Sequence, residues 1–197
     1  MSSTRLNDAA LAQLFLDART ANGFTDEPVA PELLQQIYDL AKMGPTSMNC
    51  QPARYIFLTT SEARQRVLPY LMEGNKAKTL AAPVCVIVAT DTRFHEHMDK
   101  TWHDLSGQQL FAGNEALAAA TAQRNGTLSG AYFMLAARAL GLDCGPMSGF
   151  DAAGVNREFF PDGRFQANFL LNLGHIDSSK TFQRNPRLAF DEACQVL

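Results

Sequence analysis

The amino-acid sequence predicts one domain, residues 1–197, in which helices and strands both contribute to the core. The run Pro83-Val-Cys-Val-Ile-Val-Ala89 is apolar throughout, which is typical of a strand at the centre of a sheet. Residues 114–140 are rich in alanine, and this composition predicts one long helix. A chain of 197 residues, 46% of them hydrophobic, has the length of a single domain and can bury a substantial core.

The other elements follow from hydrophobic periodicity and from residues that begin or end a helix. Gly23 ends the first helix, Pro31 begins the second and Ser61 caps the third. The predicted helices are 8–21, 31–42, 61–68, 114–140 and 151–159, and the predicted strands are 55–60, 83–89 and 166–173. Residues 73–78 predict a polar turn before a short helical end, and residues 91–114 show no regular periodicity.

Composition argues against several classes of protein. The net charge of −3 and the isoelectric point of about 5.8 argue against nucleic-acid binding, which normally requires a basic surface. No apolar run approaches the roughly 20 residues of a membrane span, and the first residues do not resemble a signal peptide. The cysteines are scattered, which favours a reduced, cytoplasmic location over a disulfide framework. They are Cys50, Cys85, Cys144 and Cys194.

Residues 141–150, Gly-Leu-Asp-Cys-Gly-Pro-Met-Ser-Gly-Phe, predict a loop directly after the long helix. Gly145, Pro146 and Gly149 interrupt regular structure, and glycine lets a ligand approach the backbone closely. Such a loop can offer backbone N–H groups to a planar or anionic ligand. The alternative is a helix C-cap followed by a tight turn into the next element.

Two pairs of residues suit phosphate binding. Arg19 and Thr20 are expected near the last turn of the first helix, where the arginine either binds phosphate or satisfies the helix end. Arg184 and Arg187 in the C-terminal tail either close on a phosphate or belong to the solvated surface.

The loop 43–54 is dense in small polar side chains: Thr46, Ser47, Asn49 and Gln51. Hydroxyl and amide groups of this kind can hydrogen-bond the edge of a heteroaromatic ring. They can equally satisfy the backbone of their own loop.

Residues 91–114 contain side chains of the types that zinc sites use, namely His95, His97, His103 and Asp104. Their spacing matches no metal signature, so we expect no metal. The same segment carries three aromatic residues, Phe94, Trp102 and Phe111. Irregular segments of this length often cover binding sites, so we expect a mobile lid over the substrate.

The long helix 114–140 carries an apolar stripe with a rhythm close to seven residues. The stripe consists of Leu117, Leu128, Ala131, Leu135 and Leu142. Gly126 and Gly130 add small residues that permit close contact with another helix. A helix of this length in a small domain is either shared with a second chain or buried at the centre of its own.

Five stretches of the sequence occur in the order found in the FMN-dependent nitroreductase family. They are Arg19-Thr20 with Gly23-Phe24, Gly44-Pro-Thr-Ser-Met-Asn49-Cys-Gln51-Pro52, Asn75 with Lys78 and Ala82-Pro83, Gly141-Leu-Asp-x-Gly-Pro-Met-Ser-Gly149-Phe150, and Arg184 with Pro186-Arg187. The sequence resembles this family over essentially its whole length. The resemblance implies an α+β, nitroreductase-like fold: a central, mostly antiparallel sheet flanked by helices, in an intertwined homodimer with flavin sites at the interface.

The resemblance also implies which residues hold FMN. From one subunit these would be Arg19, Thr20, Asn22, Asn75, Lys78, Met147, Ser148, Gly149, Arg184 and Arg187. Thr46, Ser47 and Asn49 would reach the flavin from the other subunit. The backbone of residues 147–149 would lie beside flavin N5, where hydride enters and leaves.

Three positions depart from the family pattern. Asn22 stands where many members carry Arg or Lys near flavin N1, which alters stabilisation of the reduced flavin and the expected redox potential. Ala18 stands where arginine is common, and Ser148 stands where many members carry Glu. There is no GxGxxG motif, so NAD(P)H is expected to visit the flavin as a substrate and not to occupy a Rossmann site.

The reaction implied by the resemblance is ping-pong hydride transfer through flavin N5, first from NAD(P)H and then to an acceptor in the same slot. Within the family the sequence resembles the malonic semialdehyde reductases of pyrimidine utilisation, which form 3-hydroxypropionate. Solvent, Tyr70 or His103 would supply the proton. The alternatives are a broad nitro- or quinone reductase, a flavin-fragmenting enzyme of the same superfamily, and a non-enzymatic flavin-binding protein.

Overall fold

The computed structural model describes residues 4–197, so residues 1–3, the first of the predicted domain, lie outside the described residues. The helices are α1 (Asp8–Leu11), α2 (Pro31–Ala41), α3 (Ser61–Val67), α4 (Glu73–Ala81), α5 (Met98–Thr101), α6 (Ser106–Ala112), α7 (Glu115–Ala139), α8 (Ala152–Phe159) and α9 (Phe190–Ala193). The strands are β1 (Ala53–Leu58), β2 (Val84–Asp91), β3 (Asp143–Met147) and β4 (Phe165–Gly174).

The strands form one sheet of order β1-β2-β4-β3, and every neighbouring pair is antiparallel. β2 lies between β1 and β4 and is buried along its whole length, which confirms the expected central strand. Helices cover both faces of the sheet. One apolar cluster packs α2 and α7 against one face, and another packs α3 and α8 against the other. This arrangement confirms the α+β architecture.

β3 corrects the prediction of a loop over residues 141–150. Only its first part is a turn, where Gly141 adopts a φ of +86° that ends α7, as expected for a glycine cap. Asp143–Met147 then pairs with β4 over five residues. Gly145 and Pro146 suit an edge strand better than a central one, and β3 is the edge strand of this sheet.

The two glycines of α7 face the sheet of their own chain and not another helix, which corrects the sequence interpretation. A Cβ atom on Gly126 would lie 2.3 Å from Cγ2 of Thr90, and one on Gly130 would lie 2.5 Å from Cζ of Phe169. The glycines therefore allow α7 to approach β2 and β4 more closely than any other residue would.

Leu117 and Leu128 of the predicted apolar stripe point away from the sheet, whereas Leu142 lies beyond the end of α7 and is buried in the core, which corrects its place in the stripe. Leu117 and Leu128 are 38% and 47% exposed in the single chain, whereas Phe133 on the opposite face is fully buried. The helix is therefore neither wholly buried nor wholly external. No helix within residues 4–197 combines the length and the apolar composition needed to cross a membrane.

Three further predictions are corrected. The helix expected over 8–21 ends early: α1 continues only as a π-helical turn, Ala12–Leu16, closed by a 2.8 Å bond from the N–H of Asp17 to the carbonyl of Ala12. Arg19 and Thr20 therefore lie beyond the helix, and Arg19 does not cap its last turn. The polar turn at 73–78 is helical within α4, and residues 91–114 contain α5 and α6 with a 3₁₀ turn, Phe94–His97.

Asp91, at the end of β2, joins four parts of the chain. Its fully buried carboxylate accepts hydrogen bonds from Arg54 on β1 at 2.7 Å and from Arg164 before β4 at 3.1 Å. It also accepts from the N–H of Arg93 at 2.9 Å. Burial alone would raise the pKa of Asp91, but these hydrogen bonds and the two guanidinium charges lower it below its ordinary value. The ionised carboxylate thus holds the start of the 91–114 segment to the sheet.

We expect Asp91→Asn to lower the free energy of unfolding by about 3 kcal/mol at pH 7, the lower end of the range for a broken buried ion pair. The lower end applies because Arg54 and Arg164 keep some access to water. Because the pKa is lowered by folding, the wild-type advantage is complete above the unfolded pKa of about 3.9 and shrinks as pH falls through the folded value. Urea unfolding between pH 3 and pH 8 measures both effects.

The matched control is Asp39→Asn, which removes an exposed carboxylate paired with Lys42 and should change stability little. Equal effects of the two substitutions, or an advantage that grows towards low pH, would contradict the role assigned to Asp91.

Candidate functional site

A cavity of 430 Å³ forms where the segment after α1, the last turn of α7 and the C-terminal tail meet. It brings together five residues that the sequence associates with flavin binding: Arg19, Thr20, Asn22, Arg184 and Arg187. Arg138, from the last turn of α7, completes the lining with a fourth guanidinium group. The cavity is therefore predominantly basic.

The four guanidinium groups are bonded to backbone carbonyl oxygens. Arg19 donates to Phe182, Arg138 to Leu14 at 3.1 Å, and Arg184 to Leu16 at 2.6 Å and to Ala18 at 2.9 Å. Arg187 donates to carbonyls of its own tail segment. Within residues 4–197, no carboxylate lines the cavity or pairs with these arginines. Their positive charge is thus uncompensated, although the whole chain carries a net charge of −3.

The segment that contributes Thr20 and Asn22 is held against β3. The N–H of Ala21 donates to the carbonyl of Cys144 at 2.9 Å, and Ala21 is fully buried. The backbones meet so closely that a Cβ atom on Gly145 would lie 2.6 Å from the carbonyl oxygen of Ala21. A glycine is required here because backbone atoms, unlike the end of a side chain, cannot move aside.

A second group of predicted residues lies at the other end of β3. Met147 is buried, Ser148 is exposed, and the carbonyl of Gly149 accepts a 2.9 Å hydrogen bond from the Asn75 side chain of α4. Lys78, also on α4, is partly buried, and this burial lowers its pKa. Gly149 lies five positions after Cys144, so the backbone at these two positions is at most about 17 Å apart along one edge of the sheet.

The loop after α2 contains three non-glycine residues in the left-handed region. Met48, Asn49 and Gln51 have φ values of 50°, 49° and 41°. Asparagine visits this region readily, but methionine and glutamine do so at a cost of about 1–2 kcal/mol each. Strain of this kind persists where surrounding contacts enforce it, and it is concentrated at functional sites.

Those surrounding contacts place the loop far from the basic cavity of the same chain. The N–H of Ser47 donates to the buried Asn125 side chain at 2.8 Å, and Asn49 donates to the carbonyl of Thr101 at 2.8 Å. From Asn125 to Arg138 is a distance of about 20 Å along α7 at 1.5 Å per residue. One chain therefore does not bring Thr46, Ser47 and Asn49 to the basic cavity.

The aromatic residues of the 91–114 segment do not all lie where a lid would need them. Phe94 and Phe111 are 0% and 3% exposed and pack on each other with ring centroids 5.0 Å apart, so they form the core of the segment. Trp102 is half-buried beside Met48 and Cys50. Of the three, Trp102 alone is partly exposed, so the expectation that Phe94 and Phe111 fold over the substrate does not suit their buried positions.

The sequence also suggested candidate metal ligands and proton donors. Within residues 4–197, no cluster of three His, Cys, Asp or Glu side chains could hold a metal ion. His103 is exposed beside Asp104, and the Tyr70 ring packs against Gly154. Burial raises the pKa of the Cys50 thiol to about 11, so this cysteine next to the strained loop remains protonated.

Two residues of the site were missed by sequence reasoning. Arg138 belongs to the basic cavity, and Asn125 fixes the strained loop. An arginine in the last turn before a glycine cap is common, so Arg138 carried no signal of its own. Asn125 is a polar residue on the buried face of a helix, and that position could have indicated a structural partner.

Comparison with known proteins assigns the family. A model described as "Nitroreductase family" matches residues 17–175. A protein of Ralstonia nicotianae is 50% identical over 192 residues, covering 98% of each chain, and one of Rhodopseudomonas palustris is 50% identical over the full length of both. Both bear the name "Putative NADH dehydrogenase/NAD(P)H nitroreductase".

Solved structures agree with this assignment. The Bacillus subtilis structure described as "putative nitroreductase ydfN" superposes with a TM-score of 0.86 at 21% identity, covering 97% of this chain and 100% of that one. A "putative nitroreductase in complex with FMN" from Exiguobacterium sibiricum gives a TM-score of 0.85 at 17% identity over the full length of both chains. At these identities the likeness establishes the fold. The match over residues 17–175 and the sequence relatives show that the chain belongs to the nitroreductase family of oxidoreductases.

Proposed function

We propose that the protein is an FMN-dependent NAD(P)H oxidoreductase whose single flavin-binding domain spans residues 1–197. The basic cavity is the observation that carries this proposal, because four converging arginines without a carboxylate partner suit an anionic ligand. A terminal phosphate matches such a set of forked donors. The solved relative from Exiguobacterium sibiricum was described in complex with FMN, which has one such phosphate.

The residues present fit FMN at both ends of the sheet edge. Arg19, Arg138, Arg184 and Arg187 would hold the phosphate, with the hydroxyl of Thr20 beside them. At the other end, Asn75 and Lys78 would contact the ring system together with the backbone of residues 147–149. Lys78 is partly desolvated without a ligand, so a negatively charged neighbour would favour its charged form. When bound, the flavin supplies hydride transfer between NAD(P)H and an electrophilic acceptor.

Asn22 would hydrogen-bond the flavin without adding charge. Its amide donates to the carbonyl of Thr20 at 3.2 Å and lines the basic cavity. A neutral side chain there stabilises a negatively charged ring less than an arginine or lysine would. We therefore expect a lower flavin reduction potential than in relatives with a cation at this position.

We propose that the complete site needs a second copy of the chain. The strained loop carrying Thr46, Ser47 and Asn49 lies about 20 Å along α7 from the basic cavity. The exposed stripe of α7, which includes Leu117 and Leu128, would cover the corresponding stripe of the partner. The loop of one chain would then complete the flavin site of the other. A cytoplasmic location would suit the four free cysteines, three of which are buried.

The proposed acceptor is malonic semialdehyde, which NAD(P)H and a proton would convert to 3-hydroxypropionate. The sequence resemblance supports this substrate. The alternative is a broad nitro- or quinone reductase, which the names of the 50% identical relatives favour. Steady-state assays with malonic semialdehyde, a nitroaromatic and a quinone decide between them. Failure of NAD(P)H to bleach the bound flavin would indicate a non-enzymatic flavin-binding protein, and loss of the flavin by fragmentation would indicate a flavin-fragmenting enzyme of the same superfamily.

We expect the purified protein to be yellow and to release FMN, and not FAD, on acid treatment.

Arg19→Ala should weaken FMN binding by roughly 1.5–3 kcal/mol, the usual size of a charge-assisted hydrogen bond. The control is Arg157→Ala, an exposed arginine of α8 that does not line the basic cavity. Arg19 also donates to the Phe182 carbonyl, so stability of the flavin-free protein must be measured in parallel. If Arg19→Ala leaves the FMN affinity unchanged and lowers the stability of the flavin-free protein, Arg19 has only a structural role.

Light scattering should give a mass twice the 21.6 kDa of one chain. Leu128→Glu places a charge in the proposed interface and should cost several kcal/mol of dimer stability, so the variant should be monomeric and lose FMN. Leu80→Glu is the control, since Leu80 is similarly exposed but lies on α4, on the side opposite Lys78. A monomer that binds FMN stoichiometrically would refute the shared site.

Trp102→Ala should slow reoxidation of the reduced flavin by a small aldehyde about tenfold or more and leave its reduction by NAD(P)H nearly unchanged. Trp102 packs on the same apolar cluster as Met48 and follows Thr101, whose carbonyl accepts from Asn49, so it would reach the same flavin as that loop and exclude water above a small acceptor. Stopped-flow absorbance separates the two half-reactions. Leu105→Ala, an exposed residue of the same segment, serves as control. If Trp102→Ala slows both half-reactions equally, Trp102 does not act as a lid over the acceptor.

A further inference from the structure

A second cavity, of 460 Å³, lies between the start of the 91–114 segment and the first half of α7. Its volume is within the range of small-molecule sites. One wall is apolar and is formed by Phe111, Ala118, Ala119 and Ala122. None of the residues proposed to hold FMN lines it. The cavity therefore does not overlap the basic cavity of the same chain.

One lip of this cavity carries a cation whose charge is weakly compensated. The Arg93 side chain is 52% exposed, and its guanidinium group lies 3.9 Å from the carboxylate of Glu96. Glu96 itself is closer to Arg164, at 3.1 Å. Arg93 thus keeps most of its charge available to a ligand in the cavity.

His95, two residues further on, adds a neutral donor to the same lip. Its Nδ1 atom is buried and has no hydrogen-bond partner within residues 4–197. A buried N–H without an acceptor costs more than an unused lone pair, so the proton is placed on Nε2. Nε2 of His95 makes no hydrogen bond to another described residue and is not one of the buried atoms that lack a partner. It is therefore an accessible donor.

The opposite rim limits how much negative charge a ligand can carry. Glu115, in the first turn of α7, places a carboxylate on the lining of the cavity. A second anionic group on the ligand would be repelled by it. The apolar wall between the two rims favours a flat, uncharged body over an extended polar one.

We propose that this cavity binds a small monocarboxylic acid with a flat apolar body. The carboxylate would accept hydrogen bonds from Arg93 and from Nε2 of His95, and the body would lie against Phe111 and the alanines of α7. The proposal does not depend on the flavin chemistry, because the site shares no residue with the basic cavity.

The test is a ¹⁹F NMR titration of the purified full chain with 4-fluorobenzoate. Arg93→Gln should weaken binding roughly tenfold, the loss expected for one charge-assisted hydrogen bond, and Arg157→Gln should leave it unchanged. Arg157 is an exposed arginine of α8 that does not line the cavity. The neutral analogue 4-fluorobenzyl alcohol should bind at least about tenfold more weakly than the acid.

A second variant and a second readout locate the binding. Ala119→Leu keeps high helix propensity but fills the cavity, and it should abolish binding. The amide resonances of Ala118 and Ala122 should shift on titration while the flavin absorption spectrum stays constant. Equal binding of the acid and the alcohol would overturn the proposal. So would an affinity that Arg93→Gln leaves unchanged, or perturbation confined to the flavin spectrum, which would place the acid at the flavin instead.

Discussion

The close packing of α7 on β2 and β4 governs where each part of the candidate site lies. Gly126 and Gly130 remove the side chains that would hold this helix away from the sheet. The helix then holds the strained loop at Asn125 and contributes Arg138 to the basic cavity about 20 Å away. A rigid helix keeps these two parts of the site apart in one chain. Its exposed stripe offers the surface by which a second chain could bring them together.

Two clusters of charged side chains differ in whether a group of opposite charge neutralises them. This difference separates a structural role from a ligand-binding role. The carboxylate of Asp91 is buried, ionised and fully engaged by Arg54, Arg164 and a backbone N–H, so it has no remaining capacity for a ligand. The guanidinium groups of the basic cavity are bonded only to carbonyl oxygens, which orient them without neutralising them. Oriented donors with unbalanced charge are what an anionic group such as phosphate requires.

The loop at residues 46–51 shows how strain and support occur together. Its left-handed residues are individually unfavourable, and they persist because Asn125 and Thr101 hold the loop from two sides. The same contacts join the loop to the 91–114 segment, so Asn49 and Trp102 belong to one unit. A unit held in this way loses little conformational entropy when it contacts a ligand.

Local patterns in the sequence determined the central strand β2, the long helix, and the order of the motifs that carry Arg19, Asn75 and the tail arginines. They succeed there because apolar runs, helical periodicity and motif order are properties of a continuous segment. The tertiary structure alone decided that residues 143–147 pair as β3, that α1 ends before Arg19, and that the glycines of α7 face the sheet. It also decided that Phe94 and Phe111 are core and that Arg138 joins the basic cavity. Each of these depends on a contact with a partner distant in the chain, and local periodicity carries no information about that partner.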